Sequence, residues 1–244
     1  MTDEKAFLDR VAATYRTEAS AQDRWMRQFV LELIEPMLGP TAQVLEMGCS
    51  DGWLTEQLST RSAAVLSVEG AAPFVDRLRA RALPNVEVRH ALFEDFDTPR
   101  RFDVVVLSYV LEHVVDPVAL LAKAGGLLAP GGTVVAVVPN AKALSRQLAV
   151  ACGFLTSEYQ LTPNDDAHGH RRVYDAGSLG EDARRAGLHV RDQGGIFLKL
   201  LSDMQLDQLY ESRFLTDTHV RGLAALGQRY PELCGSLYLL AGRS

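Results

Sequence analysis

Two stretches of the chain bring reactive side chains together. The first is Asp165-Asp166-Ala167-His168-Gly169-His170-Arg171-Arg172, where two histidines flank a glycine beside two aspartates. Histidine titrates near neutral pH, so His168 or His170 could take a proton from a substrate. Imidazole and carboxylate are also metal-ligating groups. A metal needs further ligands, however; no third, distant one is identifiable in the sequence, so no metal is expected. A structural reading stands beside these: the histidines bond backbone and orient a lid, while Arg171 or Arg172 anchors the next helix or meets a substrate anion. The second stretch is Glu46-Met47-Gly48-Cys49-Ser50-Asp51-Gly52, a glycine-bearing turn with two carboxylates.

The turn can be tested against the ligands such turns hold. A dinucleotide fingerprint, Gly-x-Gly-x-x-Gly from Gly48, needs glycines at 50 and 53, where the chain has Ser50 and Trp53. A pyrophosphate also wants donors and no carboxylates, yet no Lys or Arg occurs between Thr41 and Arg61. Such a turn repels phosphate and suits a cation. S-adenosylmethionine, with a sulfonium and an ammonium, fits; a nicotinamide-dependent oxidoreductase is disfavoured. Glu69 ends the run Val65-Leu66-Ser67-Val68-Glu69, 21 residues after Gly48, in register to accept hydrogen bonds from ribose hydroxyls. Phe93 offers a face for a base, and Glu94 or Asp95 an acceptor for its amine. With Gly70 after the ribose acid and Ser108 at the end of a later strand, the cofactor-facing set is Glu46, Gly48, Cys49, Ser50, Asp51, Gly52, Glu69, Gly70, Phe93, Glu94 and Ser108.

The elements that must position these groups follow from hydrophobic period. Residues 3–16 and 21–38 carry apolar side chains at helical spacing. Short runs rich in valine and leucine then read as strands at 43–47, 64–68, 86–90, 103–108 and 133–138, with helices at 52–60, 71–82 and 115–127 between them. Strands without a polar face are buried on both sides, which implies a parallel sheet covered by helices. Residues 141–152 read as helix and 153–172 show no period. A helix at 176–187, a strand at 188–197, helices within 203–228 and a strand at 235–242 complete the chain, the last two strands pairing as an edge hairpin. The fold class is α/β, a doubly wound and mostly parallel sheet.

Glu46 to Gly52 resembles motif I of the class I S-adenosylmethionine-dependent methyltransferases, whose pattern is acidic-x-Gly-x-Gly-x-Gly. Glu69 matches the family's ribose-binding acid. Phe102-Asp103-Val104-Val105-Val106 followed by Val110-Leu111-Glu112-His113 resembles the fourth motif, and Leu128 to Thr133 resembles the turn into strand five. The resemblance covers residues 40–140, and the C-terminal half by architecture alone. Ser50 departs from the pattern at the middle glycine, and Leu92 stands where many members have an acid facing adenine. The resemblance implies one methyltransferase domain over 1–244 with seven strands: a helical cap at 1–39, a cofactor half at 40–140, and a substrate-side insert and sheet edge at 141–244. It also implies methyl transfer to an oxygen or nitrogen of a small molecule, a specialised metabolite being preferred. Because the substrate side of this fold is built from the N-terminal helices and the segments after strands four and five, Tyr15 and His113 join His168 and His170 as catalytic candidates. Glu112 and His113 could instead cap the following helix. A non-catalytic cofactor-binding protein is the alternative.

Composition sets outer bounds. With 244 residues, 47% hydrophobic and 23% charged, the chain is of ordinary globular type, which excludes disorder and fibres. A net charge of −6 argues against a nucleic-acid partner, because binding phosphates needs a basic surface. Cys49, Cys152 and Cys234 are far apart and form no disulfide framework. The polar start and the shortness of every apolar run point to a cytoplasmic protein with no membrane partner. The expected partner is a small-molecule acceptor, and a homodimer stays open.

Overall fold

Valine-rich runs with no polar face become the interior of a single sheet. The computed structural model describes residues 4–14 and 20–243. Its seven strands are β1 (Gly39–Met47), β2 (Ser62–Glu69), β3 (Val86–His90), β4 (Phe102–Ser108), β5 (Leu128–Pro139), β6 (His189–Leu198) and β7 (Cys234–Gly242). Their spatial order is β3-β2-β1-β4-β5-β7-β6. The first five pair in parallel, and β7 runs antiparallel to both β5 and β6. The helices are α1 (Glu4–Thr14), α2 (Ala21–Ile34), α3 (Trp53–Ser59), α4 (Ala72–Arg79), α5 (Pro117–Gly126), α6 (Leu144–Ala151), α7 (Pro163–Ala167), α8 (Ala176–Arg185), α9 (Asp203–Glu211) and α10 (Asp217–Gly227).

Strand alternation divides the core in two. Val105 and Leu107 pack with Leu121 and Ala124 of α5 and Leu179 of α8 on one face. Val104 and Val106 pack with Phe29, Val30 and Ile34 of α2 on the other. This two-sided burial is the reason the strands read as unbroken apolar runs. The order reverses at β1, with β2 on one side and β4 on the other, so a crevice opens beyond the carboxyl ends of β1 and β4.

Several boundaries differ from the sequence reading. The helix expected over 21–38 stops at Ile34, and Glu35–Met37 is a 3-10 turn, because Pro36 cannot donate to a continuing helix. The 203–228 segment is two helices. Residues 153–172 contain α7, five residues long, started by a capping box between Thr162 and Asp165 and too short to show a period. The last two strands do pair, but β7 lies inside the sheet and β6 is the edge. Leu237 and Leu239 of β7 face one core while Tyr238 and Leu240 face the other, so β7 is apolar on both sides, whereas Arg191, Asp192 and their neighbours leave β6 suited to an edge. Among the described residues, no helix is long and apolar enough to cross a membrane.

Candidate active site

β1 delivers the glycine turn to the crevice. Gly48 leaves the strand at φ +89°, and its amide donates to Val68 O at 2.8 Å. A Cβ on Gly48 would lie 2.9 Å from Val110 Cγ2 and 3.7 Å from the Phe93 ring, so a larger residue fits here only if the Val110 side chain shifts and the backbone bears a positive φ. Ser50 takes φ +47°, the left-handed conformation that the middle glycine of the family pattern would adopt without strain. Ser50→Gly should therefore stabilise the chain by about 0.5–1 kcal/mol in urea denaturation.

Glu69 holds the turn shut from the end of β2. Its Oε2 accepts from the amides of Cys49 (3.1 Å) and Ser50 (3.3 Å), and its Oε1 from that of Ala71 (2.9 Å). Burial pushes its pKa up against these hydrogen bonds, which favour the carboxylate. Glu69 is thus both in register for a ribose and an organiser of the turn, a role its spacing alone does not reveal.

Glu46 is buried beneath the turn. Its Oε2 accepts from Thr55 Oγ1 at 2.5 Å and Ser67 Oγ at 3.1 Å, while Oε1 has no partner. Burial raises its pKa from 4.5 to about 7. A buried carboxylate oxygen without a donor, under a turn that lines a cleft, fits the ammonium of S-adenosylmethionine. The sign of the linkage follows: the folded chain holds this proton more tightly, so Glu46's contribution to stability is full below about pH 4.5 and is lost as pH rises through about 7. Thermal melts of cofactor-free protein should show Glu46→Gln gaining on the parent between pH 5 and 8. Calorimetry should show it losing about tenfold in affinity for S-adenosylmethionine and S-adenosylhomocysteine alike, since both carry the ammonium.

The turn is less acidic than its sequence suggests. Arg27 of α2 pairs with Asp51 at 2.6 Å, and Asp51 Oδ1 accepts from the amide of Trp53, the first residue of α3, at 3.1 Å. Arg81 donates to Asp51 O at 2.7 Å. The local absence of basic residues between 41 and 61 is offset by partners 24 and 30 residues away.

A cleft of about 2130 Å³ opens above the turn. It brings together Glu46, Gly48, Cys49, Ser50, Asp51, Ser108, His113, His168 and His170. Glu69, Gly70, Gly52, Phe93 and Glu94 do not line it. Gly70 lies under α1, where its Cβ would meet Leu8 Cδ1 at 2.7 Å, and Asp9 of α1 accepts from Ala72 N at 2.8 Å. Phe93 is half-buried and Glu94 is exposed, their carbonyls held by Lys123 Nζ at 2.7 and 2.8 Å. Tyr15 lies outside the described residues.

The histidine segment meets the turn after β4. His170 Nδ1 bonds Asp165 Oδ1 at 3.0 Å. Burial raises the Asp165 carboxyl, but His170, Thr162 and Arg146 together outweigh it and hold the group well below the usual carboxylate range. His168 Nδ1 instead meets the Asn164 carbonyl at 2.7 Å. The His113 and His170 rings stand edge-on with centroids 4.7 Å apart. Burial, with His170 next, lowers the His113 pKa to about 3, so its imidazole is neutral. Glu112 is fully buried, and burial raises its pKa to about 8. It does not cap α5, whose N-cap is Asp116, accepting from Ala119 N at 2.9 Å. Both arginines after the histidines are engaged in tying the insert to this turn: Arg171 Nε donates to His113 O at 2.6 Å, and Arg172 Nη1 to Leu111 O at 2.7 Å. Lys199 pairs with Asp203 at 2.5 Å. Sequence reasoning missed Arg27 and Thr55, which carry no local signal, and gave Asp165 no role in orienting one histidine, although the pair is only five residues apart.

Comparison with known proteins identifies the family and the fold. A family model described as a methyltransferase domain matches residues 19–193. A ubiquinone biosynthesis O-methyltransferase of Xylella fastidiosa is 31% identical over 162 residues, 64% of this chain and 64% of that protein. One from Pseudomonas aeruginosa is 31% identical over 185 residues, 70% of this chain and 78% of its own. The alignment with the first of these therefore spans less than two thirds of that relative's length. The solved structure of the CcbJ methyltransferase from Streptomyces caelestis superposes with a TM-score of 0.65 at 18% identity, covering 99% of both chains, which bears on the fold alone. With the acidic glycine turn, the ribose-register Glu69 and the seven-stranded order in place, the chain belongs to the class I S-adenosylmethionine-dependent methyltransferases.

Proposed function

We propose that this chain methylates a hydroxyl oxygen of a small organic acceptor, a phenol being the favoured class. The observation that carries this reading is the Asp165–His170 pair, 3.0 Å apart, on the same cleft as the glycine turn. A neutral amine needs no base to accept a methyl group, whereas a hydroxyl gives up a proton as its oxygen is alkylated. The O-methyltransferase names of the relatives support oxygen over nitrogen. Those names refer to ubiquinone biosynthesis and lend nothing to a specialised-metabolite acceptor.

S-adenosylmethionine, when bound, supplies a methyl group on a sulfonium that leaves as a neutral thioether. The chain's residues do the rest. Glu46 Oε1 and the backbone of residues 48–51 would receive the amino-acid end. Glu69, set behind the cleft wall and holding the turn through the Cys49, Ser50 and Ala71 amides, would meet the ribose through its remaining acceptor capacity. Asp165 holds His170 Nδ1, which leaves Nε2 to take the acceptor's proton. Tyr109 is no rival base: burial pushes its phenol upward, and its hydroxyl bonds Ser236 Oγ at 2.8 Å.

The test is transfer of labelled methyl from S-adenosylmethionine to a panel of monohydric phenols, catechols and primary amines. O-methylated phenols are expected. Methylation confined to the amines would overturn the reading, and cofactor binding without turnover on any member would favour a non-catalytic binding protein.

A further inference from the structure

Glu112 follows β4 with no exposed surface, and neither of its carboxylate oxygens has a hydrogen-bond partner. Buried carboxylates are ordinarily paired or ligated, because an unmet charge is costly in a dry interior. The nearby guanidinium of Arg172 does not meet this need; it is taken up by the carbonyls of Leu111 and Val114. His113 Nε2 lies 4.0 Å from Glu112 Oε1. Glu112, His113 and His170 each offer a ligand-capable atom, and the three atoms lie within 4.8 Å of one another. Asp165, bonded to His170 Nδ1 at 3.0 Å, stands as the outer carboxylate that fixes the orientation of a ligating imidazole. The two segments are locked together by backbone as well, with Arg171 N donating to Glu112 O at 2.8 Å.

We propose that Glu112, His113 and His170 bind one divalent transition-metal cation on the cleft wall. Two imidazoles and a carboxylate suit zinc or manganese, whereas magnesium and calcium prefer all-oxygen sites. The site lines the same cleft as the glycine turn, so an acceptor oxygen can reach it. This inference rests on the acceptor site proposed above and alters one step there. The cation's charge lowers the pKa of the acceptor hydroxyl, whose proton leaves to solvent, and His170 Nε2 is a ligand in place of a proton acceptor.

Zinc titration by calorimetry tests the site without cofactor or acceptor. The protein is chelator-treated and carries Cys152→Ser, which removes the exposed thiol. One saturable site per chain is expected, weakened at least tenfold by Glu112→Gln and by His170→Ala, and unchanged by Asp166→Asn in the exposed acid of the same segment. Melting curves confirm that the variants are folded, and either informative variant suffices if the other is not. Absence of a saturable site, or equal affinity in the folded informative variants, overturns the proposal and leaves His170 as proton acceptor. Zinc bound as expected, with no turnover on phenols, overturns only the methyl-transfer reading.

Discussion

Glu69→Ala should lower the affinity for S-adenosylmethionine by more than about tenfold and, in the same variant, destabilise the cofactor-free chain. The first effect follows from the ribose contact proposed for Glu69 and from the turn that this carboxylate organises. The second follows from the three backbone amides that this carboxylate satisfies, those of Cys49, Ser50 and Ala71. A buried donor left unpaired costs about 1–3 kcal/mol, and the total here should be about 2–4 kcal/mol because water will reach part of the turn. The spacing of Glu69 alone implies loss of cofactor affinity with the fold intact; the geometry predicts both losses. Calorimetric titration and urea denaturation measure them separately. Glu69→Gln, which keeps one acceptor oxygen, should fall between alanine and the parent on both. Unchanged cofactor affinity in a folded Glu69→Ala would remove this residue from the ribose site.

His170→Ala should reduce kcat by about 10²–10⁴-fold while cofactor affinity stays within about twofold. Asp165→Asn should reproduce part of that loss, since the amide can no longer hold His170 Nδ1 as a charged acceptor. Asp165 also starts α7, its Oδ2 accepting from Thr162 N at 2.8 Å, so a local melting change is expected alongside. His168→Ala should cost less than His170→Ala, because His168 Nδ1 is turned to the Asn164 carbonyl whereas His170 Nδ1 meets the Asp165 carboxylate. Steady-state rates with saturating cofactor decide the ranking. Equal rates for His170→Ala and the parent would end any role of this imidazole in turnover, whether as base or as ligand.

The cofactor half was legible because its signals are local. A strand, a glycine turn and a helix follow one another within 39–59, and Glu69, the acid in register for a ribose, ends the very next strand. Apolar runs without alternation gave the parallel sheet, and spacing gave Glu69. The acceptor side was legible only as a list of residue types. His168 and His170 differ by two positions and look equivalent in sequence; Asp165 Oδ1 and the Asn164 carbonyl distinguish them once α7 has formed. A five-residue helix set by one capping box leaves no period to read.

By itself the sequence determined the doubly wound fold, the acidic glycine turn and the likeness to class I methyltransferases. Periodicity and short-range spacing carry that information, and each βα unit presents its turn at the same edge of the sheet. The tertiary structure alone decided the charge around the turn and which side chains meet on the cleft wall. Arg27 and Arg81 moderate a turn that reads as purely acidic, and Glu112 and His113 come to His170 from 58 and 57 positions earlier in the chain. The physical reason is that hydrogen bonding, ion pairing and desolvation depend on distance in space, and residues so separated in sequence become neighbours only after the sheet has brought the end of β4 against the segment that follows α7.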